Sequence, residues 1–235
     1  MEQCDVIGAA GHVMQKHLNE KWPWEINYIP NGFYNFSDKA WNIDFEKKEN
    51  IILTVGRLGT PDKSTHILLE AFAKIERKIP YWKLHLICSV DQEFELYLLQ
   101  FWRRFPNLRT RINFLGSITD RDILYTEYLR AKIFALPSIH EDGTPNEIAE
   151  TLYAGNVIAI TKIDEYQDAI GHGRCGFVSE INDVSGFSDI LLKLCQDINL
   201  EKMCQYAYAY AQENFNMEKA VAKLYYLIFG EETSI

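Results

Sequence analysis

Three things are scarce in this sequence: positive charge, metal-binding patterns and long apolar runs. The formal net charge is −9 over 235 residues. Binding to a nucleic acid requires a basic face, so we predict that this protein has no nucleic-acid partner. No apolar run approaches the roughly 20 residues that cross a bilayer, and Met1 to Ala10 lack the basic and apolar regions of a signal peptide. We therefore expect a cytoplasmic protein.

Cysteine and histidine occur without the spacing that disulfide frameworks or metal sites show. The cysteines are odd in number, scattered, and contain no CxxC pair, which predicts reduced, mostly buried thiols. The histidines form no metal-ligand spacing, so we expect no bound metal. The cysteines are Cys4, Cys88, Cys175, Cys195 and Cys204.

The chain has ample material for a core, since 47% of its residues are apolar. From residue 50 onward, apolar runs alternate with helical patterns, which predicts a parallel sheet covered on both faces. A short strand, a helix, a second strand and a polar segment precede it. The main predicted strands are 51–55, 82–88, 111–115, 133–137, 157–160 and 176–178. Helices are expected after the first and fourth of these strands and at 92–103, 120–130, 183–195, 200–212 and 217–229.

A polar loop follows the apolar run 133–137 and leads into a well-marked helix start. Thr144 is a good N-cap, Pro145 suits the first helical position, and Glu147 lies at the capping-box spacing. This order aims free backbone N–H groups and the positive end of the helix dipole at the loop, which favours an anion such as a diphosphate. The alternative is a capped helix beside a solvated acidic loop.

A second strand-to-helix loop carries two basic residues. The apolar run 51–55 ends at Gly56, and Arg57 and Lys63 follow it. Arg offers a planar fork for two phosphate oxygens and Lys a compact charge, although basic residues in such loops are often simply solvated. Because ligands of open parallel sheets bind beyond the carboxyl ends of strands, we expect this loop and the loop before Thr144 to meet at one edge.

Together the two stretches resemble the C-terminal, donor-binding half of GT-B-fold glycosyltransferases of family 4, or group 1. In that family a strand ending in Gly-Arg, a lysine a few residues later, and the motif E-G-x-P-x4-E-A-x3-G occur together. Here they read Gly56-Arg57, Lys63 and 142–155, and the similarity extends from about residue 29 to residue 229. The resemblance implies an α/β fold, a Rossmann-like parallel sheet with helices on both faces, which is one half of a GT-B fold.

The resemblance also implies a domain organisation and a gap. Residues 1–35 would be a remnant of the N-terminal domain and interdomain segment, 36–49 a linker, and 50–235 the nucleotide-sugar-binding domain. A complete enzyme of this fold has an acceptor-binding domain before the donor half. We therefore expect the chain to be a fragment, a truncated product or one half of a two-chain enzyme, which leaves peripheral attachment to a membrane through a missing domain open.

The implied activity is retaining transfer of a sugar from a nucleoside-diphosphate donor, which is a substrate rather than a cofactor. Arg57 and Lys63 would stabilise the diphosphate. Asp142 would hold hydroxyls of the transferred sugar, and these three are the expected catalytic residues. Glu150 would accept hydrogen bonds from the ribose. The other donor contacts are expected at Gly56, Gly143, Thr144, Pro145, Asn146, Ser89 and Leu115.

Some positions depart from the family pattern. Asp142 is one methylene shorter than the usual Glu, so that neighbouring Glu141 could take over its contact. Glu147 replaces an apolar residue and would compete with a phosphate for the positive helix end. Thr151 replaces the usual Ala, a smaller change. His140, beside the loop, is either a surface histidine or a donor to the substrate.

The partners follow from the same resemblance. They are a nucleotide sugar and an acceptor, a glycan or a lipid that the sequence does not identify. A separate acceptor domain, or a second copy of the chain, could cover the apolar face of 217–229, which includes Leu224, Tyr225 and Ile228. The alternative function is a non-catalytic interaction or sugar-nucleotide-binding module that keeps the fold.

Overall fold

The computed structural model describes residues 4–35, 43–141 and 143–230. Each strand predicted from the sequence is present, with small shifts at the ends, because each is a short apolar run bounded by polar residues. The strands are β1 (Ile7–Ala9), β2 (Ile26–Tyr28), β3 (Ile51–Val55), β4 (Lys83–Ile87), β5 (Ile112–Gly116), β6 (Ile133–Leu136), β7 (Val157–Thr161) and β8 (Gly176–Ser179).

Helices follow nearly every strand, as the alternating pattern predicts. One short helix, at 166–169, and the 3-10 turns are too brief to be recognised from periodicity. The helices are α1 (His12–Lys21), α2 (Thr65–Ile75), α3 (Phe94–Arg104), α4 (Arg121–Arg130), α5 (Asn146–Tyr153), α6 (Tyr166–Ala169), α7 (Val184–Cys195), α8 (Leu200–Asn214) and α9 (Met217–Phe229). The 3-10 turns are Phe45–Lys47, Glu76–Lys78, Pro106–Thr110 and Gly171–Gly173.

Six strands form one parallel sheet in the order β5-β4-β3-β6-β7-β8. The chain runs outward from β3 through β4 to β5 and then returns to the other side of β3 as β6. The two central strands pair through Ile52 with Ile133 and Leu53 with Phe134. This reversal of direction is a switch point, where the loops after β3 and β6 diverge and leave a crevice at the carboxyl edge of the sheet.

The core lies on both faces of this sheet. On one face, Ile52 packs among residues that include Phe72 of α2 and Phe187 of α7. On the other, Leu53 packs among residues that include Tyr128 of α4. Consecutive residues of β3 thus serve opposite layers, as strand geometry requires. The predicted Rossmann-like parallel sheet with helices on both faces is confirmed.

The N-terminal segment forms a small unit of its own, in which β1 and β2 pair in parallel around α1. The carboxylate of Glu165, in the loop after β7, accepts hydrogen bonds from the backbone N–H groups of Val13 and Met14 at 3.0 and 3.1 Å. Glu165 therefore supplies the N-terminal cap that α1 lacks in its own sequence. A Cβ at Gly11 would lie only 2.0 Å from that carboxylate, so glycine is required for this contact.

The C-terminal helix α9 buries little of its surface. Tyr225, Tyr226, Ile228 and Phe229 are all exposed, and Leu224 is half-buried. That a separate domain or a second copy covers this face stays a prediction. In the described part of the chain, no helix combines the length and the apolar character needed to cross a membrane.

The thiols are less buried than the sequence suggested. All five cysteines are free, but only Cys175 and Cys204 are buried. Cys88 and Cys195 are half-buried and Cys4 is exposed, so the prediction of mostly buried thiols was wrong. Cys88 directly follows the last residue of β4, where the chain leaves the sheet.

A buried lysine anchors the segment that enters the sheet. The ammonium of Lys48, on a residue only 5% exposed, donates to the carbonyls of Leu129 and Ala131 and to Oδ1 of Asn156, at 3.0, 2.7 and 2.7 Å. Burial lowers the pKa of Lys48 to about 8. These bonds tie the segment just before β3 to the end of α4 and to the turn after α5.

Candidate functional site

The loop after β3 turns sharply at Gly56. Its φ of +138° suits glycine and not residues with a Cβ, and its N–H donates to the carbonyl of Ile87 at 3.1 Å. The loop then crosses the carboxyl edge and enters α2 at Thr65, whose Oγ1 accepts a hydrogen bond from the N–H of Gly59 at 2.8 Å. This closed turn holds Lys63 on its inner side.

The loop after β6 also ends at a helix, but the helix does not begin as predicted. The first helical residue is Asn146, and the N-cap is Pro145, which makes no side-chain cap bond. The expected capping box from Thr144 to Glu147 was therefore wrong. The hydroxyl of Thr144 is buried and has no hydrogen-bond partner among the residues that the structure describes, and its carbonyl accepts from Nδ2 of Asn31 at 2.8 Å.

Loss of the capping box changes the character of this helix start. The N–H of Ile148 donates to the carbonyl of Pro145 at 3.0 Å, whereas Pro145 supplies no side-chain acceptor for the N–H groups of the first two residues of α5. A buried Thr144 hydroxyl beside them has unused hydrogen-bonding capacity. Both features favour an external acceptor more strongly than the predicted cap did.

The two loops meet directly. The N–H of Ile139 donates to the carbonyl of Asp62 at 2.8 Å, which joins their backbones. Nζ of Lys63 lies 2.6 Å from Oε1 of Glu141 and 3.8 Å from Oε1 of Glu147. A Cβ at Gly56 would lie 3.5 Å from both that Glu147 oxygen and Cε of Lys63. Two segments distant in sequence thus build one charged cluster at the switch point.

The cluster holds one ammonium and two carboxylates, so the charge of Lys63 is more than compensated from within. Glu141 also accepts a hydrogen bond from Oγ of Ser138 at 2.6 Å, so its carboxylate is firmly placed. The Lys63 side chain is only 14% exposed, which strengthens its attraction to both carboxylates. An incoming anion must therefore compete with Glu141 and Glu147 for the ammonium.

Arg57 occupies the outer rim of the same crevice. Its side chain is 70% exposed, and Nη2 lies 4.0 Å from the carboxylate of Asp62. A contact of this length at the surface is weak. The guanidinium therefore has the freedom to turn toward a ligand at Gly56.

Glu150 lies on α5 within the same edge. Its Oε1 accepts a hydrogen bond from Nη1 of Arg121 at 2.8 Å, and burial raises the pKa of Glu150. Sequence reasoning missed Arg121. The available signal was its position directly after Asp120, which caps α4 by accepting from the N–H groups of residues 122 and 123.

The loops after β4 and β5 form the other flank of the crevice. The carbonyl of Ser89 accepts from the N–H of Leu58 at 3.2 Å, and the N–H of Cys88 donates to the carbonyl of Gly116 at 3.0 Å. The Leu115 side chain is 38% exposed at this rim.

Gly143, in the loop after β6, is buried with φ +80° and lies next to Thr144 and the helix start. Asp142 lies outside the described residues.

No group of three or more His, Cys, Asp or Glu side chains suited to a metal ion occurs within 4–35, 43–141 and 143–230. The groups that the crevice offers are instead ammonium and guanidinium cations, carboxylates and backbone N–H donors. Such a set can hold an anionic group with hydroxyl-bearing substituents on either side.

The fold and the crevice define a Rossmann-like domain of the class that binds its ligand at a switch point of a parallel sheet. Residues 49–197, more than half of the chain, match the profile of the family described as glycosyl transferases group 1. The chain belongs to this family, and the resemblance inferred from the two loops is confirmed.

Curated relatives are similar over most of this chain. The phosphatidyl-myo-inositol mannosyltransferase of Mycolicibacterium smegmatis is 20% identical over 197 residues, which cover 81% of this chain and 49% of the relative. The Escherichia coli UDP-Gal:alpha-D-GlcNAc-diphosphoundecaprenol alpha-1,3-galactosyltransferase is 28% identical over 214 residues, or 86% of this chain and 53% of the relative. The chain thus spans about half the length of the curated relatives it matches.

Solved structures show the same fold. Anabaena HepE in complex with UDP-glucose superposes with a TM-score of 0.78 at 19% identity, over 97% of this chain and 64% of that chain. A Staphylococcus aureus TarM mutant in complex with fondaparinux, alpha-GlcNAc-glycerol and UDP gives 0.78 at 16% identity, over 97% and 44%. This likeness confirms the prediction that the chain is one half of a GT-B fold.

Proposed function

We propose that this chain binds a nucleoside-diphosphate sugar in the crevice between the β3 and β6 loops. It acts as the donor half of a retaining glycosyltransferase whose acceptor, a glycan or a lipid, is held by a separate domain. The observation that carries the proposal is the meeting of Lys63 with the start of α5 at the switch point of the sheet. The proposal is supported by the relatives, which are a mannosyltransferase and a galactosyltransferase. It is also supported by the similar structures of HepE and TarM, which are complexes with UDP-glucose and UDP.

The diphosphate would lie between Lys63 and the uncapped N-terminus of α5. Negative charge develops on the diphosphate as the glycosidic bond breaks, and cations and N–H donors already in place stabilise that charge. Lys63 is held in the crevice by two carboxylates, and the diphosphate would replace them at its ammonium. Arg57 would close over the outer phosphate from the rim.

The remaining groups would hold the two ends of the donor. Glu150, oriented by Arg121, would accept hydrogen bonds from the ribose hydroxyls. The loops that contain Ser89 and Leu115 would receive the base. Glu141, firmly placed beside Lys63, is available for the hydroxyls of the transferred sugar.

Titration of UDP, GDP and ADP into the purified chain by calorimetry tests the proposal. We expect at least one of them to bind, and Lys63→Ala to weaken that binding by about tenfold or more, or roughly 1.4 kcal/mol. Lys83→Ala is the matched control, because Lys83 is an exposed lysine at the amino end of β4, on the opposite edge of the sheet. Circular dichroism should show that both variants fold.

Two results would contradict the proposal. One is the absence of binding by any of the three nucleotides at millimolar concentration with the fold intact. The other is an equal loss of affinity in the two lysine variants.

A second candidate is a non-catalytic module that keeps the fold. The neutralisation of Lys63 by Glu141 and Glu147 favours it, because an ammonium with two carboxylate partners attracts a diphosphate less. The two functions can be distinguished once an acceptor-binding domain is supplied. A donor half should then hydrolyse or transfer the bound nucleotide sugar, whereas a non-catalytic module should not. Binding without turnover under those conditions would favour the module.

A further inference from the structure

A second cavity lies away from the β3 and β6 loops. It has a volume of about 560 Å³ and is enclosed by α1, β2, the loop that carries α6, and α8. Small-molecule sites typically measure roughly 300–1,000 Å³. Glu165 lines this cavity and also a smaller one of about 420 Å³ that reaches Glu141 and Gly143, so the capped start of α1 stands between the cavity and the donor loops.

One wall of the cavity contains an unsatisfied carboxyl group. Asp168, on α6, is only 9% exposed, and among the described residues its Oδ2 is buried and finds no hydrogen-bond partner. A buried acceptor without a donor costs about 1–3 kcal/mol. Burial raises the pKa of Asp168, consistent with a group that lacks compensation. Such a group indicates a place where a ligand can supply the missing donor.

Aromatic rings make up another part of the lining. The rings of Tyr206 and Tyr210 are nearly parallel, with centroids 6.5 Å apart and an interplanar angle of 15°. His12 stacks on Tyr28 with centroids 3.6 Å apart. Aromatic faces suit the apolar side of a ligand. The hydroxyl of Tyr206 already accepts a hydrogen bond from Nη1 of Arg174 at 2.8 Å, so this side chain offers its ring rather than its polar tip.

The carboxylates in the wall disfavour an anion. Asp164, Glu165, Asp168 and Glu213 all line the cavity, and among the described residues no lysine or arginine belongs to the lining. Two cations lie next to it, because Arg174 and Lys223 sit over the rings of Tyr206 and Tyr28 at 5.4 and 5.5 Å from the ring centroids. Two imidazoles, those of His12 and His172, are close enough to Asp168 to lower its pKa against the larger effect of burial. The unpartnered oxygen of Asp168 needs a hydrogen-bond donor, which a neutral hydroxyl can supply.

We propose that this cavity is a binding site for a neutral, hydroxyl-rich ligand, a monosaccharide or short saccharide. A ligand hydroxyl donates to Asp168, and the sugar ring packs against Tyr206 and Tyr210. The site is separate from the donor crevice and does not depend on the function proposed for it.

Saturation-transfer NMR with glucose, galactose, mannose and maltose at millimolar concentration tests the proposal, with glucosamine as the cationic analogue of glucose. We expect a signal from at least one neutral sugar. Asp168→Asn, which keeps the shape and removes the carboxylate, should weaken it at least about tenfold. Tyr206→Ala, at a half-buried ring, is a second variant that removes packing and leaves Asp168 intact.

Controls separate this site from the donor crevice. Asp189→Asn, at an exposed aspartate of α7, should bind as the unchanged chain does. Saturating UDP and Lys63→Ala should both leave the sugar signal in place. The proposal is overturned if none of the four neutral sugars gives a saturation-transfer signal, or if only glucosamine does. It is also overturned if Asp168→Asn and Tyr206→Ala both bind as well as the unchanged chain, or if UDP removes the signal.

Discussion

The carboxylate of Glu147 should lower the affinity for diphosphates of the crevice between the β3 and β6 loops. It lies 3.8 Å from Nζ of Lys63, with side chains that are 24% and 14% exposed, and it stands in the first turn of α5. It therefore competes with a phosphate both for the ammonium and for the positive end of the helix. Glu147→Gln removes the charge while keeping the size of the side chain.

The size of the effect follows from that distance. Two unit charges 3.8 Å apart attract by about 4 kcal/mol at an effective dielectric constant of 20 and by about 1 kcal/mol in bulk water. The pair lies near the surface, and Glu141 remains at 2.6 Å as a closer counterion. We therefore expect about 1.4 kcal/mol to be recovered by the ligand, a roughly tenfold gain in UDP affinity.

Calorimetric titration of UDP into both proteins measures this gain, and repetition in higher salt should shrink it because the charges are only partly shielded from solvent. Glu201→Gln is the matched control, since Glu201 stands in the first turn of α8, is exposed, and lies far along the chain from the crevice. Unchanged or weaker UDP binding in Glu147→Gln would refute the reasoning. In that case Glu147 contacts the ligand itself or moves away from it.

Two backbone and burial effects give further expected outcomes. Cys88 adopts φ 136°, a region that favours glycine, so Cys88→Gly should be more stable to urea than Cys88→Ala by about 1 kcal/mol, the reverse of their usual order. The usual order would show that the strain is absent. Burial lowers the pKa of Lys48 from 10.5 to about 8, so between these values the unfolded chain keeps a proton that the folded chain has released. The free energy of unfolding should therefore rise with pH relative to Lys48→Met across that window, and parallel pH profiles would contradict the shift.

The sheet could be predicted from the sequence because its strands are distinctive. A parallel strand buried on both faces is a continuous apolar run, and those at 51–55 and 133–137 have few competing interpretations. The carboxyl edge then follows from the order of strand, loop and helix alone. That is why the approach of Lys63 to the start of α5 was foreseeable without coordinates.

The charge balance of the crevice was harder to predict. Lys63 and Glu141 are 78 positions apart, and no local pattern shows that they pair at 2.6 Å. The capping box failed for a related reason. The spacing from Thr144 to Glu147 is a local signal, whereas Thr144 turns inward because its loop is held by the long-range contact with Asn31.

The internal pairing of Lys63 has a consequence for selectivity. A small anion that reaches only Lys63 must displace Glu141 and Glu147 and gains little, because it exchanges one ion pair for another. A nucleoside-diphosphate sugar can add contacts with Arg57 on the rim, with the uncapped start of α5, and with the loops after β4 and β5. Only the larger ligand can make these additional contacts. The carboxylates of Glu141 and Glu147 should therefore weaken the binding of free phosphate more than the binding of the nucleoside-diphosphate sugar. Glu147, the acidic residue that departs from the family pattern, is then compatible with a donor site. Its expected effect is to restrict the anions that bind tightly to those that make the additional contacts.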